Sequence, residues 1–379
     1  MILLNFYFWS FVWQTDPFLF ENDFFSLRWY SFLFALGFIV ARFTVVKSYK
    51  LENGYDQTVE IQMLYMVAGT LIGSRMGHII FYEPETLKTN FFKLFYFWEG
   101  GLASHGGAIG ILVCMAIYSY QIKIYGFSIK FIDRKRRNYN YYQVMDRLVI
   151  PIALGCAFIR IGNFFNSEII GKQTFTNYGI VFTQPIANKI KSQLPFVKNV
   201  NFNPTDKYYK PGLPILETSI EFENSFFMEE RIRNSVEKRL KNVLPNKIST
   251  YTNVINPNQS SLIYSFHRNN DQFELRFKSV GVNRHPAQLY EAVKYLILWV
   301  VLFLIWNKHR SKLRPGSLLG LFCIIAFSSR FFIERLKENQ VMFENSLYLN
   351  MGQILSIPMI LLGFYFFFRT KKLGAAFRL

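Results

Sequence analysis

Stretches of about 20 apolar residues recur along this chain, the length an α-helix needs to cross a ~30 Å hydrocarbon core. Seven can be drawn, at 27–46, 60–82, 102–120, 145–165, 288–306, 316–336 and 348–368. Several carry one or two charges, and the segments starting at Leu27, Trp299 and Ile354 are the cleanest. At 379 residues a soluble two-domain protein is possible on size alone. The distribution of apolar residues argues against it, since 51% of the chain is hydrophobic and much of that fraction lies in these runs.

The net charge of +18 would ordinarily suggest nucleic acid. Its location argues otherwise. With the N-terminus outside, the segments 47–59, 121–144, 307–315 and 369–379 face the inside and carry sixteen Lys and Arg. The outside segments 1–26, 83–101 and 337–347 carry three. That asymmetry is the positive-inside bias and sets the orientation, with the C-terminus inside. The run Arg134-Lys135-Arg136-Arg137 is then a topology anchor at the inner surface rather than a nucleic-acid site. Cys114, Cys156 and Cys323 all fall in apolar segments and suggest no disulfide framework. The apolar start lacks a positive n-region, so it does not read as a cleavable signal peptide. A short interfacial segment built on Trp9, Trp13 and several Phe residues fits it better.

One large polar break, 172–283, separates the fourth and fifth spans and falls on the outside. Within it, Glu217–Leu244 mixes charged and apolar residues at helical spacing. Leu262–Phe266 and Phe273–Phe277 alternate as a half-buried hairpin would. The expected fold is therefore an all-α integral membrane protein of about seven transmembrane helices. A small α+β extracytoplasmic domain is inserted between spans four and five. Residues 1–171 hold spans one to four, 172–283 the insert, and 284–379 spans five to seven.

The unusual polar residues share one depth in this topology. Tyr30 starts span one, Arg75 lies in the outer half of span two, and His105 starts span three beside Gly106 and Gly107. Arg160, Asn163, Asn166 and Glu168 close span four, with Gly171 just beyond. Arg284, His285, Gln288, Tyr290 and Glu291 open span five, and Arg330 and Glu334 lie toward the outer end of span six. Intramembrane ionisable residues usually face a bundle interior or a water-filled cavity, so the shared depth implies one cavity in the outer leaflet.

Each residue also has a plain structural reading. Arg330 and Glu334 sit four apart and could pair on one helix face. His285-Pro286 could simply open a helix, and His105 could bond backbone in a loop. Asn163 and Asn166 could join helices. Gly106, Gly107 and Gly110 could serve close packing. As a set, the arginines Arg75, Arg160 and Arg330, with Arg284 near the rim, favour a phosphate, because guanidinium presents a planar fork of donors. A phosphate reached from the outer leaflet is most naturally a phospholipid headgroup. Glu168, Glu334, His105 and His285 could move a proton beside it.

The run Arg160-Ile161-Gly162-Asn163-Phe164-Phe165-Asn166-Ser167-Glu168, closing at Gly171, resembles the signature of the prolipoprotein diacylglyceryl transferases. Further blocks agree in order: Arg28-Trp29-Tyr30, Gly73-Ser74-Arg75-Met76-Gly77, His105-Gly106-Gly107, Arg284 to Glu291, and Met351 to Ser356. Arg330 with Glu334 is similar to a further arginine–glutamate pair of that family. The resemblance implies a multi-pass enzyme of the bacterial plasma (inner) membrane with an extracytoplasmic active site. It moves the diacylglyceryl group of phosphatidylglycerol onto the lipobox cysteine of preprolipoproteins, with no cofactor and no metal. The added part of the insert has no counterpart in that family, and it could cover the cavity, receive the preprolipoprotein or contact a later enzyme of lipoprotein maturation. Arg160 and Arg330 are then expected on the phosphate, and His105 as base for the thiol. Glu168 and Glu334 orient the arginines or relay protons. Tyr30, Arg75, Gly106, Gly107, Asn163, Asn166, Gly171, Arg284, His285, Gln288, Tyr290 and Glu291 bind substrate or shape the pocket.

The chain departs from the family pattern at Ile159, where the motif has glycine, at Ala103-Ser104 before the histidine, and at Ala326, where a tyrosine is usual. The 172–283 loop is longer than the resemblance implies. A transporter for an anion would also gather arginines at one depth, but it would need an inner polar path, and only Asp146 and Arg147 stand there. A phosphatidyl-alcohol transferase would need clustered aspartates, which the outer half lacks.

Overall fold

The computed structural model describes residues 10–373, apart from 23, 53–57, 86–89, 91, 94–95, 97–102, 126–127, 134–138, 195, 223–239, 241–242, 246–251, 257–262, 270–271, 340–343 and 345–346. Its longer helices are α1 (Trp29–Glu52), α2 (Thr58–Tyr82), α3 (Ser104–Ser119), α4 (Tyr141–Phe165), α5 (Gln184–Gln193), α6 (Ala287–His309), α7 (Ser317–Ile333) and α8 (Met351–Leu373). Among the described residues six helical stretches are long and apolar enough to span a bilayer: Trp29–Glu52, Val59–Tyr82, Tyr141–Phe165, Ala287–His309, Ser317–Leu336 and Met351–Arg369. This is a multi-pass membrane protein.

Of the expected spans, 102–120 is shorter than its apolar composition suggests. It forms the 16-residue α3, about 24 Å long at ~1.5 Å per residue. The chain leaves the helix at Tyr120, whose backbone is extended (φ −110°, ψ 147°). There it enters an antiparallel hairpin of β4 (Tyr120–Tyr125) and β5 (Ser128–Asp133). The hairpin covers most of the segment expected as an inner loop, while the basic run Arg134–Arg137 lies outside the described residues.

The chain divides into two compact units. The first comprises Met1–Leu33, Ile159–Ala292 and Phe331–Gln353, and the second Phe34–Phe158, Val293–Arg330 and Ile354–Leu379. In the second unit, α2 and α3 meet along glycines. A Cβ on Gly106 would stand 2.8 Å from Gly77 Cα, and one on Gly110 would stand 2.8 Å from Gly73 Cα. Only hydrogens in place of side chains let two backbones approach this closely in lipid. The core of this unit gathers Val45, Met115, Leu148, Ala153, Leu302 and Trp306. Two buried carboxylates are fully engaged by donors of the same unit. Glu52 accepts from Arg147 Nη2 at 2.9 Å, Trp306 Nε1 at 2.6 Å and Tyr139 Oη at 2.5 Å. Asp146 accepts from the backbone N–H groups of Gly316 at 2.7 Å and Leu319 at 2.9 Å, closing the N-terminus of α7.

The first unit contains the polar insert 172–283. Its sheet runs in the order β10 (Tyr264–Asn269), β11 (Gln272–Gly281), β8 (Leu213–Phe222), β7 (Val197–Lys210), all neighbours antiparallel, with β9 (Val254–Ile255) also on β11. The expected hairpin is present, with Tyr264 opposite Phe277 and Phe266 opposite Leu275. Helix α5 packs Ile186, Ala187 and Ile190 with Val200, Leu216, Ile220 and Leu275 of the sheet. The helical expectation for 217–244 fails at its start, because Glu217–Phe222 completes β8. Thr218, Ile220 and Phe222 alternate inward and are buried, so sheet burial overrides the spacing of the charges. The rest of that segment lies largely outside the described residues.

Toward the N-terminus, β1 (Ser10–Trp13) pairs in parallel with β6 (Gly179–Phe182), and β2 (Phe18–Glu21) forms a hairpin with β3 (Ser26–Arg28). Trp13, expected at a lipid interface, packs on Phe164 with ring centroids 4.3 Å apart. Its indole N–H donates to Phe164 O at 3.1 Å. Trp9 lies outside the described residues.

Candidate active site

Helix α4 ends in a Schellman turn that aims the motif. Glu168 N–H donates to Asn163 O at 3.0 Å and Ser167 N–H to Phe164 O at 3.1 Å. Ser167 takes the left-handed position that glycine usually fills (φ 54°), and Ile169 is left-handed as well (φ 56°). For a β-branched residue this conformation is an outlier, and such strain collects where a side chain has to be held in one direction. The residue held between them is Glu168. Its carboxylate oxygens accept from Asn163 Nδ2 at 3.3 Å and Asn166 Nδ2 at 3.4 Å, and its carbonyl accepts from the buried Gln288 Nε2 at 2.5 Å. Tyr30 lies against the same helix, where a Cβ on Gly162 would meet Tyr30 Cα at 2.9 Å.

A line of charges runs on from this turn. Arg160 Nη1 donates to Asn163 Oδ1 at 3.5 Å, and Arg160 Nε stands 3.3 Å from Glu291 Oε2. Glu291, 1% exposed, shares that oxygen with Lys337 Nζ at 3.1 Å. Lys337 Nζ also reaches Glu334 Oε2 at 3.0 Å. Glu334 lies against Gly352 in the first turn of α8, since a Cβ there would meet Glu334 Oε1 at 2.6 Å. The positive end of that helix therefore adds to the cationic surroundings of the carboxylate. The arrangement gives two buried carboxylates, one ammonium and one guanidinium, with the arginine oriented by acid rather than left to rotate.

Arg284 is the arginine expected near a cavity rim. It is 1% exposed, and its guanidinium holds the scaffold by donating to Gly171 O at 3.2 Å, Glu338 Oε1 at 2.7 Å and Thr252 O at 2.8 Å. Around it three chain segments are laced by backbone bonds. Gly171 N–H donates to His285 O at 3.0 Å, Lys172 N–H to Leu336 O at 2.7 Å, and His285 N–H to Lys172 O at 3.0 Å. Gly171 allows this approach, because a Cβ would stand 2.6 Å from His285 Cβ and 2.9 Å from Leu336 O. His285 Nδ1 lies 3.3 Å from Tyr290 Oη, which lies 3.4 Å from Tyr178 Oη. Burial holds the His285 imidazole below its usual range, toward the neutral form.

Arg75, His105, Gly106, Gly107 and Arg330 belong to the second unit. Arg75 is buried and donates through Nε and Nη2 to Lys93 O at 3.2 and 3.0 Å. His105, in the first turn of α3, is exposed, with Phe81 5.0 Å away edge to face and Tyr82 at 6.2 Å. Gly106 lies in the α2–α3 seam, so for this residue the geometry supports the packing reading. Arg330 closes α7. Ala326, at the usual tyrosine position, is buried, and its carbonyl accepts from Lys294 Nζ at 3.2 Å.

Sequence reasoning misses Lys337, Glu338, Trp13 and Tyr178 as parts of this region. Lys337 carries a readable signal, three residues after Glu334 on one helical turn, but by sequence alone it counts only as a loop charge. Among the described residues no group of three or more His, Cys, Asp or Glu is placed to hold a metal ion.

A family model described as prolipoprotein diacylglyceryl transferase matches residues 17–369. The phosphatidylglycerol–prolipoprotein diacylglyceryl transferase of Bacteroides fragilis is 29% identical over 373 residues, covering 95% of each chain. The protein of the same name from Tolumonas auensis is 28% identical over 360 residues, covering 95% of this chain and 97% of its own. That from Porphyromonas gingivalis is 28% identical over 366 residues, covering 95% and 94%. With the signature turn intact and the match running almost end to end, the chain belongs to the prolipoprotein diacylglyceryl transferase family and is a membrane-embedded transferase.

Proposed function

We propose that this enzyme transfers the diacylglyceryl group of phosphatidylglycerol to the lipobox cysteine of preprolipoproteins, the substrates its relatives are named for. The cysteine thiolate attacks the sp³ carbon of the lipid glycerol that bears the phosphate. A C–S bond forms as the C–O bond breaks, and the electron pair leaves on glycerol phosphate. A free thiol has a pKa near 8.5, so its proton has to pass to a base. The observation that carries this reading is the buried line Arg160–Glu291–Lys337–Glu334 beside the strained turn holding Glu168. A guanidinium fixed in advance stabilises the charge that grows on the leaving phosphate without reorganising.

In this reading Arg160 holds the phosphate, Glu291 orients Arg160, and Asn163 and Asn166 present Glu168. Tyr30, Gln288 and Gly171 shape the headgroup site, and Arg284 holds its frame together. Arg330 as second phosphate ligand, His105 as base and Arg75 as substrate contact rest on their shared depth in the sequence together with the family resemblance, and Gly107 as substrate contact rests on the resemblance. The charge bias of the connecting segments supports an outward N-terminus, an inward C-terminus and an extracytoplasmic 172–283 domain in a bacterial inner membrane.

The test is transfer of labelled diacylglycerol from phosphatidylglycerol to a lipobox peptide in micelles, native protein against Arg160→Ala. Thioether formation that vanishes with Arg160 supports both the reaction and the phosphate role. No transfer by a folded, lipid-binding native protein would overturn the reading and make Ala326 the first suspect.

A further inference from the structure

Lys337 has no part in the family signature as read from this sequence, yet it is the most tightly enclosed ammonium in the charge network. Its side chain is 5% exposed and its single Nζ meets two carboxylates, Glu291 at 3.1 Å and Glu334 at 3.0 Å. Those acids come from different elements: Glu291 from the first turns of α6, and Glu334 from the 3-10 turn Glu334–Leu336 that follows α7. The backbone around Lys337 is fixed as well. The residue forms a β-bridge with Gly171, and the neighbouring Leu336 carbonyl accepts from Lys172 N–H. Arg160 from α4 adjoins this cluster through Glu291, and nearby in sequence Glu344 Oε1 accepts from Met351 N–H at the start of α8 at 3.3 Å.

We infer that Lys337 is a positioning residue of the transferase, holding Glu291 in the place from which it orients Arg160. The physical reason lies in the shared oxygen. Glu291 Oε2 stands against Arg160 Nε, and the same atom is bound by Lys337. A carboxylate that is 1% exposed takes its direction from the groups packed around it, and these two cations are among them. Removing Lys337 takes one of those cations from Glu291 and takes the ammonium from Glu334. Arg160, set against the same oxygen, then loses part of what fixes its Nε. Small misplacement of a group that acts on the transition state costs rate far more than binding. An arginine could stand in for the lysine, because a guanidinium also bridges two carboxylates.

This inference rests on the transferase reading for its kinetic arm, and a chemical arm keeps the two separable. Lys337→Met and Lys337→Arg are compared with the native enzyme in the transfer assay, with melting temperature recorded on the same samples. In parallel, modification of Arg160 by phenylglyoxal is followed by mass spectrometry. The expected result for Lys337→Met is a kcat about tenfold or more lower with KM for phosphatidylglycerol changed less than about threefold. Arg160 is modified several-fold faster, and Lys337→Arg restores both. If Lys337→Met does not fold, Lys337→Met combined with Glu334→Gln removes one charge of each sign, and Arg160 modification decides alone. A folded Lys337→Met, or the double variant in its place, with native Arg160 reactivity overturns the inference. Native protein that transfers nothing sinks the transferase reading instead, while Arg160 reactivity still decides for or against Lys337.

Discussion

Glu291 Oε2 lies 3.3 Å from Arg160 Nε, joining the first turns of α6 to the last part of α4 through an acid that is 1% exposed. Both residues lie in the signature blocks, but nothing local to either block says that one serves the other. The pairing changes what Glu291 is for. Its place in the sequence groups it with residues expected to bind substrate, and its geometry sets it against an arginine.

Glu291→Gln keeps the shape and removes the charge. It leaves Arg160 and Lys337 facing a neutral amide in a buried place, and breaking a buried pair in this way typically costs about 3–5 kcal/mol. The variant should melt well below the native protein. Any folded fraction should show transfer reduced by about tenfold or more. Melting and kcat/KM measured on one preparation check both. Native-like values for the pair would mean that Arg160 is held by other partners.

Ser167→Gly is expected to stabilise. The left-handed position after a helix favours glycine, and a non-glycine residue there costs roughly 1 kcal/mol or more. The Ser167 hydroxyl is also buried without a hydrogen-bond partner among the described residues, so its removal exposes no new unmet group. A higher melting temperature with retained transfer is the predicted outcome. A lower one would show that the hydroxyl has a task that the turn geometry does not reveal.

The parts of this molecule that are legible in the sequence are those fixed locally. Long apolar runs need no partner to declare a helix, and the alternation around Phe266 and Leu275 needs only its own period to declare a hairpin. The parts that escape are set by distant chain. Glu217–Phe222 reads as helical by its charges but is drawn into a sheet by β7 and β11. Segment 102–120 has the composition of a span, and nothing in it announces the hairpin that takes over at Tyr120, where the backbone turns extended. Arg284 is as basic as Arg160, and only the fold decides that one is enclosed by carbonyls and the other set against a buried acid. Lys337 is hidden because its second carboxylate comes from another helix.

Asp146 gives a stability prediction away from the site. Its carboxylate caps α7 by accepting from Gly316 and Leu319 N–H, and it is fully buried. Asp146→Ala removes an N-cap, a change that costs about 0.5–2 kcal/mol, and strands two buried donors besides. The melting temperature should fall while KM for both substrates stays native in the surviving fraction. A changed KM would give Asp146 a role beyond the cap.

His285 predicts the sign of a pH effect. Burial disfavours its charged form, so the folded state binds the proton more weakly than the unfolded chain, whose imidazole titrates near 6.5. Between the depressed value and ~6.5 the unfolded state holds more protons, and stability therefore rises with pH through that window. This contribution is fully present above about 6.5 and is lost as the pH falls toward and past the folded value. Melting curves of native protein and His285→Gln across this range should converge in slope above it and diverge below it, the native protein losing more on acidification. Parallel curves would show that His285 titrates alike in both states.

Gly106 and Gly107 are adjacent and share one block of the signature, but the structure gives them different surroundings. A Cβ on Gly106 would stand 2.8 Å from Gly77 Cα, a backbone atom that cannot yield without moving α2 from α3. A Cβ on Gly107 would find its nearest neighbour, Ser74 Cβ, at 3.5 Å, an ordinary contact. Gly106→Ala should therefore lower the melting temperature clearly, by the overpacking route that usually costs about 1–3 kcal/mol. Gly107→Ala should leave it near native. The comparison also separates packing from binding. If Gly107→Ala melts normally but raises KM for phosphatidylglycerol, the glycine lies where lipid must pass. If it melts normally and binds normally, Gly107 has no part in substrate binding, and of the two glycines in the His105-Gly106-Gly107 block only Gly106 is required, by the seam between two helices.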